Sequence, residues 1–366
     1  MSAVSEKLYI SAVIRIVPIL LSALLVLSCY NYEKNVPDVG RETFTNPIYP
    51  AGSSPRLIRF DGHYYYTQSM NDRVSVWKAD HISDIAGAKE HVIFSPGSAS
   101  HISAPQLHHI DGKWYVMFSA DDGSGRDIRH IYVMENPSRD PLEGSFTMKG
   151  WIKTGNVKDI HPTTFTHDGK RYLLWSGTDS VVPGKATVWN ICIAPMTNPW
   201  TIEGTPRVIS TPQYEWECQW IDEDGTSYPA PSLVNEGPEF LYSRDSTRLL
   251  VYYAASETYT SYYCEGLLMA PAGADPLEPS SWHKSPEPVF SKNEGTGVLG
   301  PGHVSFYRTR EQLYILYNGK SRFPDMRAVD NRSPRMQEVK WGKDGVPVLG
   351  FPVREDSLLY APTPEE

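Results

Sequence analysis

One phrase recurs five times along the chain, and it restricts the possible fold more than any other feature. Each copy reads as a strand of alternating residues, a tight turn that is usually Asp-Gly, and a second strand rich in Tyr, Trp, Val and Leu, which is typical of a β-hairpin. The copies are "PRLIRFDGHYYYTQ" from Pro55, "PQLHHIDGKWYVMF" from Pro105, "PTTFTHDGKRYLLW" from Pro162, "PEFLYSRDSTRLLVYY" from Pro238 and, without the proline, "GHVSFYRTREQLYILY" from Gly302. The copies start 50 to 76 residues apart, and multi-stranded repeats of that length predict a β-propeller. We therefore expect residues 46–366 to form one all-β domain, a five-bladed β-propeller. A β-sandwich or two β domains would be the alternative.

The composition agrees with this prediction and narrows the classes of partner. The 366 residues include 22 Tyr, 11 Phe, 10 Trp, 27 Gly and 30 Pro, which favours many short strands over long helices. The net charge of -9 and the lack of a basic cluster argue against a nucleic-acid partner. Beyond Cys29, only Cys192, Cys218 and Cys264 remain, so a hydrophobic core must stabilise the domain. We expect a monomer.

The first 29 residues have the pattern of a targeting segment. Lys7 and Arg15 precede an apolar stretch over residues 16–27 that is too short to span a bilayer, which needs about 20 residues. The stretch ends in "VLSC", which resembles the lipobox of bacterial lipoproteins and predicts a lipidated Cys29. An ordinary secretory signal is the alternative. Residues 30–45 are polar and unpatterned, as in a tether, so we expect a lipid-anchored protein of the bacterial cell envelope, on the periplasmic or surface face of the outer membrane.

The residues that precede each repeat are the strongest candidates for a functional site. In a propeller the innermost strands surround the axis, so the residues at their starts converge at one mouth of the channel. The positions just before the recurring prolines are Ser54, Ala104, His161 and the pair Glu236-Gly237, and His303 begins the fifth copy. The sequence thus predicts that a carboxylate and two histidines share one pocket.

Several phrases, taken in order, resemble glycoside hydrolase family 43, whose members include arabinofuranosidases, xylosidases and arabinanases. They cover nearly all of the chain after the tether, and "NPWTIEG" and "SPRMQ" are most similar to the arabinofuranosidase branch. The resemblance implies a five-bladed propeller without a required cofactor that acts on arabinofuranosyl-containing or related plant oligosaccharides and polysaccharides. The other phrases are "NPIYPAGSSP", "SAPQLHHIDGKWYVMFSADDG", "IHPTTFTHDGKRYLLWSG", "NEGPEF" and "GPGHVSFY".

The resemblance also implies roles for three site residues. The family hydrolyses by inversion, with one carboxylate that activates water, a carboxylic acid that protonates the leaving oxygen, and a third carboxylate that tunes the acid. Glu236 matches the acid, whereas Ser54 and His161 stand where the family has its aspartate base and its tuning aspartate. A serine hydroxyl alone is no base near neutral pH, and a charged histidine would lower the pKa of Glu236.

Three interpretations remain open at this point. The first is a hydrolase in which His161, or a nearby carboxylate such as Asp159, Glu217 or Asp222, helps to activate water while Glu236 remains the acid. The second is a non-catalytic glycan-binding protein that retains the old pocket. The third is another reaction on a sugar, or the use of another face of the propeller.

The remaining candidates each have a structural alternative. The resemblance assigns His303 to a central calcium or sodium ion, although a histidine packed in the core would look the same and hard ions prefer oxygen ligands. It also assigns a sugar contact to one of the last-blade arginines, whose alternative is an ion pair. These arginines are Arg332 and Arg335, and the further candidates for substrate binding are Trp77, Trp216 and Glu217. The repeated Asp61, Asp111 and Asp168 are expected to form hairpin turns rather than a catalytic set.

Overall fold

Five groups of antiparallel strands follow one another along the chain in a computed structural model that describes residues 41–97, 100–181, 185–225, 231–321 and 331–363. Short parallel pairings, Lys158 with Arg129 and residues 187–189 with 232–234, join the second, third and fourth groups at their edges. The first blade contains β2 (Ser53–Phe60), β3 (His63–Ser69), β4 (Val74–Ala79) and β5 (Glu90–Phe94). The second contains β6 (Ser103–Ile110), β7 (Lys113–Asp121), β8 (Arg129–Asn136) and β9 (Thr147–Trp151). The third contains β10 (Lys158–His167), β11 (Lys170–Thr178), β12 (Thr187–Asn198), β13 (Thr201–Ile202) and β14 (Arg207–Ser210).

The last two blades have the same order of strands. The fourth contains β15 (Ser232–Tyr242), β16 (Arg248–Ala255), β17 (Cys264–Pro271) and β18 (His283–Lys284). The fifth contains β19 (Leu299–Arg308), β20 (Leu313–Lys320), β21 (Arg332–Trp341) and β22 (Pro347–Val348). Short 3-10 turns cover Ile82–Gly87, Glu215–Glu217 and Pro279–Ser281. The predicted all-β, five-bladed propeller is confirmed.

The repeated phrase forms the first two strands of each blade, as its pattern predicts. Asp61, Asp111 and Asp168 have φ of 52°, 51° and 47° and are each followed by a glycine with positive φ, as a tight hairpin turn requires. The aromatic second strands are buried between blades, and Trp114 and Trp175 are both fully buried. Their rings join clusters of apolar side chains from neighbouring sheets, so the core of the protein lies between the blades.

The two ends of the described chain are joined by main-chain pairing. Strand β1 (Thr43–Phe44) pairs antiparallel with β23 (Leu359–Tyr360). The side chain of Asn46 then donates to the carbonyl of Met336 at 2.9 Å and accepts from its N–H at 2.8 Å. The predicted tether over 30–45 therefore overlaps a strand at its end, whereas Cys29 and the predicted signal lie outside the described residues. The described part of the chain contains no helix with the length and apolarity needed to cross a membrane.

A β-bulge with a left-handed residue stands at the start of every innermost strand. These residues are the ones predicted to converge, and we call them the mouth ring: Ser54, Ala104, His161, Gly237 and His303, with φ of 55°, 45°, 55°, 56° and 57°. The register shifts at each of these points, as in a bulge that re-aims a side chain. The sequence signal was the proline that follows four of the five.

Side chains from the preceding blade hold the backbone of the mouth ring. The N–H groups of Ser54, Ala104, His161 and Gly237 donate to the side chains of Asn318, Ser69, Ser119 and Ser176 at 2.7, 2.8, 2.9 and 3.0 Å. The fifth blade is held in a slightly different way. The carboxylate of Glu265, which lies opposite Ala254 in the fourth blade, accepts the N–H of Val304, the residue after His303, at 2.8 Å. Each blade therefore fixes the site residue of the next.

Candidate active site

Glu236 is a buried carboxyl group at the mouth of the channel, one residue before the bulge of β15. It is 9% exposed, and the hydroxyl of Tyr263 donates to its Oε1 at 2.7 Å. Burial raises the pKa of Glu236 to about 7, and the charge of Glu257 adds to the shift, whereas the hydrogen bond from Tyr263 opposes it. A carboxyl with this pKa carries its proton through a large part of the neutral range.

His161 lies against Glu236 on the neighbouring blade. Its Nδ1 is 3.6 Å from Oε2 of Glu236, and among the described residues this buried nitrogen has no hydrogen-bond partner. Burial places the pKa of His161 well below its usual value, and the positive charges of Arg129 and Arg332 act in the same direction. His161 is therefore neutral, and it does not draw the proton from Glu236 as an imidazolium would.

His303 contacts both other sides of the pocket. Its Nδ1 is 3.4 Å from Oγ of Ser54, and its ring centroid is 4.6 Å from that of His161. Gly237 makes this approach possible, because a Cβ at that position would lie 2.9 Å from Nδ1 of His303. Burial, helped by the charge of Arg332, lowers the pKa of His303 to about 3. The pocket thus contains a neutral serine–histidine pair together with a carboxyl group whose pKa is raised to about 7.

A hard cation does not fit this environment. The groups that touch His303 are a hydroxyl and a second imidazole, whereas calcium and sodium prefer several oxygen ligands. Within the described ranges, no three or more His, Cys, Asp or Glu side chains are grouped as a metal site would need.

A second layer of polar residues supports the carboxyl side of the pocket. Arg332 donates to Oγ1 of Thr258 at 2.9 Å, and Lys320 donates to the carbonyls of Thr258 and Thr260 at 2.7 and 3.0 Å. Burial lowers the pKa of Lys320 to about 7, and the charge of Arg332 contributes. These contacts fix the segment that leads into Tyr263. Sequence reasoning identified only Arg332 here, because the segment belongs to none of the repeated phrases.

The other predicted carboxylates are bonded to protein groups. Asp159 is fully buried and accepts from Asn156 at 2.9 Å and from Trp175 at 2.7 Å, and burial raises its pKa to about 6. Asp222 accepts from the N–H and the hydroxyl of Ser261 at 2.9 and 2.8 Å.

Glu217 is likewise enclosed by protein, with no exposed surface. It pairs with Lys284 at 2.7 Å and accepts from Asn235 and Tyr253 at 2.8 and 2.9 Å. Its position differs from the predicted role in substrate binding, because a sugar could not reach it without breaking this network.

The aromatic and arginine side chains that were predicted to contact sugar are buried or only partly exposed. Trp77 is 1% exposed and packs against Tyr49 and Tyr66, so its ring offers no free face to a sugar. Arg335 is fully buried and pairs with Glu355 at 2.5 Å, as its structural alternative predicted. Trp216 is half-buried, and its indole N–H donates to the carbonyl of Pro286 at 2.8 Å.

The fold and this pocket match a known family of enzymes. The family model described as "Glycosyl hydrolases family 43" matches residues 44–347. The chain belongs to glycosyl hydrolase family 43. The resemblance drawn from the repeated phrases is therefore confirmed.

Several of the similar proteins are arabinofuranosidases. An extracellular exo-α-(1→5)-L-arabinofuranosidase of Streptomyces avermitilis is 37% identical over 86% of this chain and 64% of its own length. The enzyme of the same name from Streptomyces chartreusis is 36% identical over 72% of this chain and 77% of its own length. The crystal structure of an α-L-arabinofuranosidase from Lactobacillus brevis, 30% identical, aligns with a TM-score of 0.75 over 86% of this chain and 98% of that one. The chain therefore spans just under two thirds of the Streptomyces avermitilis protein, and it is an arabinofuranosidase-like member of the family.

Proposed function

We propose that the protein is a glycoside hydrolase that releases sugar from arabinofuranosyl-containing plant oligosaccharides, with Glu236 as the general acid. The observation that carries this proposal is the state of Glu236. Its carboxyl group is buried at the mouth of the channel with a pKa of about 7, and the histidine beside it is neutral. A general acid is most effective when its pKa lies near the working pH.

In the proposed reaction, Glu236 gives its proton to the glycosidic oxygen as the bond to the sugar breaks. A water molecule attacks the anomeric carbon, and its proton passes through the hydroxyl of Ser54 to Nδ1 of His303. Ser54 occupies the position that the family resemblance assigns to the base, and His303 supplies the proton acceptor that a serine alone lacks. Because the pKa of His303 is low, this base is weak and we expect slow turnover.

A glycan-binding protein without hydrolysis is the second candidate. It is favoured by the neutral side chains at Ser54 and His161, the two positions where the resemblance implies carboxylates. General base catalysis typically contributes about 10²–10⁴-fold, so its complete loss would leave a pocket that binds a sugar without cleaving it at a useful rate.

Sugar release separates the two candidates. The purified protein would be incubated with arabino-, xylo- and galacto-oligosaccharides beside Glu236→Ala and, as a matched control, Glu311→Ala, which removes an exposed carboxylate from a hairpin turn. We expect arabinose release that Glu311→Ala retains and Glu236→Ala loses. Binding by calorimetry without release would support the glycan-binding candidate, and neither binding nor release would contradict both.

We also propose that the protein is anchored to the bacterial envelope through a lipid on Cys29. The support is the "VLSC" sequence after a short apolar stretch. Expression with a radiolabelled fatty acid should label the wild-type chain and leave Cys29→Ala unlabelled. A wild-type chain without label, released in soluble form, would instead indicate an ordinary secretory signal.

A further inference from the structure

Trp151 stands apart from the other tryptophans because it is exposed. It is 41% accessible at the end of the outermost strand of the second blade, and among the described residues it is the one tryptophan in the exposed class. Tryptophan is costly to leave in water because its ring carries a large apolar surface. An exposed indole that is held rigidly is therefore a candidate for contact with a ligand.

His130 holds the indole from one side. Strands β8 and β9 pair Tyr132 with Trp151, which places His130 on the same face of the sheet as the indole, one diagonal position away. The rings of His130 and Trp151 are stacked with centroids 3.9 Å apart and an angle of 11° between their planes. Burial lowers the pKa of His130, so this ring is neutral at physiological pH. The stack fixes the orientation of the indole and leaves part of its surface to solvent.

Trp151 lies at the mouth end of its blade. The innermost strand of this blade starts at the mouth, so β7 ends there, β8 starts there and β9 ends there, at Trp151. Neighbouring strands are separated by about 4.8 Å, so the outermost strand lies roughly 14 Å from the innermost one. The indole therefore lies at the same end of the propeller as the pocket but outside the innermost strands, where a ligand longer than the pocket can reach it.

Polar groups lie between the pocket and the indole. Arg129 donates to Asp121 at 3.2 Å, and the other carboxylate oxygen of Asp121 is 2.5 Å from Nδ1 of the exposed His101. All three occupy the mouth end of the second blade, and the positive charge of Arg129 affects the pKa of Glu236. Charged and imidazole groups of this kind can hydrogen-bond to sugar hydroxyls along the path.

We propose that Trp151, braced by His130, is a distal subsite on which a sugar residue of a bound oligosaccharide stacks, several residues away from the one in the pocket. The apolar face of a sugar ring packs against the indole, as aromatic rings do with other flat apolar surfaces. This proposal rests on the proposed function for the class of ligand. It adds that affinity increases with the length of the chain once the chain reaches the second blade.

The test is a calorimetric titration with arabino-oligosaccharides of increasing length, carried out in a Glu236→Gln background so that no ligand is cleaved. Trp151→Ala should weaken the binding of long oligosaccharides by about 2- to 12-fold and leave the binding of the disaccharide unchanged. Trp151→Phe, which keeps an aromatic face, should restore most of the affinity. Phe351→Ala removes another exposed aromatic ring, on the fifth blade, and should have no effect on ligands of any length.

The outcomes distinguish the subsite from the proposed function. Equal binding of long oligosaccharides by Trp151→Ala and its parent would overturn the subsite and leave the pocket intact. An equal loss for the disaccharide and the long ligands would also overturn it, because the effect would then be on folding. If the parent binds no oligosaccharide at all, both proposals fail. Length-dependent binding by the parent, together with no sugar release by the wild-type protein, would contradict only hydrolysis.

Discussion

Two buried glutamates on the same strand illustrate how different environments act on the same chemical group. Glu236 faces the mouth of the channel, and Glu239 lies three residues further along β15, towards the interior of the ring. Both are at least nine-tenths buried, and burial raises the pKa of both. Glu239, however, pairs with Arg56 and accepts further hydrogen bonds from Thr163 and from the N–H of Phe306, and all of these oppose the rise.

The partners therefore decide what each carboxyl group can do. Glu239 has a cation beside it that stabilises the charged form, so its place is structural. Glu236 has one hydroxyl and a neutral imidazole beside it, so its proton is retained until about pH 7. Burial alone does not distinguish an acid catalyst from a structural ion pair; the charge of the nearest neighbour does.

The largest effect is expected when carboxylates are placed beside Glu236 at the mouth of the channel. We expect Ser54→Asp combined with His161→Asp to increase the rate of arabinose release by about 10²–10⁴-fold, because an aspartate base replaces a weak one. The anion at residue 161 would also keep Glu236 protonated. Initial rates on arabino-oligosaccharides measure the gain. The control is Ser54→Asn with His161→Asn, which has similar shape and no charge, and an equal gain in that variant would refute the electrostatic explanation.

The ion pair of Glu239 in the interior is tested by removing its cation, Arg56. Arg56→Met should lower the free energy of unfolding by about 3–5 kcal/mol, because Glu239 would be left buried without its partner. Urea denaturation measures the change. The double variant Arg56→Met with Glu239→Leu should recover most of the loss, whereas Lys340→Met, which breaks an exposed pair with Glu338, should cost at most about 1 kcal/mol. A small effect of Arg56→Met would show that Glu239 is already protonated.

The close approach of His303 to the strand that carries Glu236 can be tested at Gly237. Gly237→Ala should destabilise the fold by about 1–3 kcal/mol, because φ is +56° and the new Cβ would lie 2.9 Å from the imidazole. Gly169→Ala provides the matched control, since φ there is +73° but no atom lies within 4 Å. Thermal unfolding compares the two. Equal losses would mean that backbone conformation alone, and not the contact with His303, requires the glycine.

The smallest expected effect concerns the hydrogen bond on Glu236. Activity should fall as the pH rises through about 7, because the acid must be protonated to act. Tyr263→Phe removes a donor that stabilises the carboxylate, so it should move this decline to higher pH by up to about one unit.

The pH dependence of kcat/KM measures this shift. Tyr317→Phe removes a buried hydroxyl that bonds to Gln337 in the fifth blade and should leave the profile where it was. A decline at the same pH in Tyr263→Phe and the wild type would assign it to a group other than Glu236.

Local pattern was sufficient to predict the fold and the mouth ring. The hairpin turns at Asp61, Asp111 and Asp168 and the residues before the prolines are determined within a few neighbouring positions. Turn chemistry and strand alternation are short-range effects, so the repeated phrase carries them directly.

The hydrogen bonds and ion pairs around the pocket could not be predicted from such short-range patterns. Tyr263 contacts Glu236 from 27 positions away, and Arg56 pairs with Glu239 across 183 positions. Such partners depend on how blades meet in space, and no period in the sequence marks them. The same reason explains Glu217 and Trp77, whose residue types suit a sugar site but whose neighbours enclose them.

The hydrogen bonds between neighbouring blades have a consequence for how such a site changes during evolution. The backbone of four of the five mouth residues is held through its N–H group by a side chain of the preceding blade, and not by the mouth side chain itself. A substitution at Ser54 or His161 therefore alters the chemistry presented to the pocket while the frame that presents it stays in place. Scaffold and reactivity can be inherited separately, so a lineage can lose, weaken or regain catalysis by changing very few residues without having to reinvent the fold.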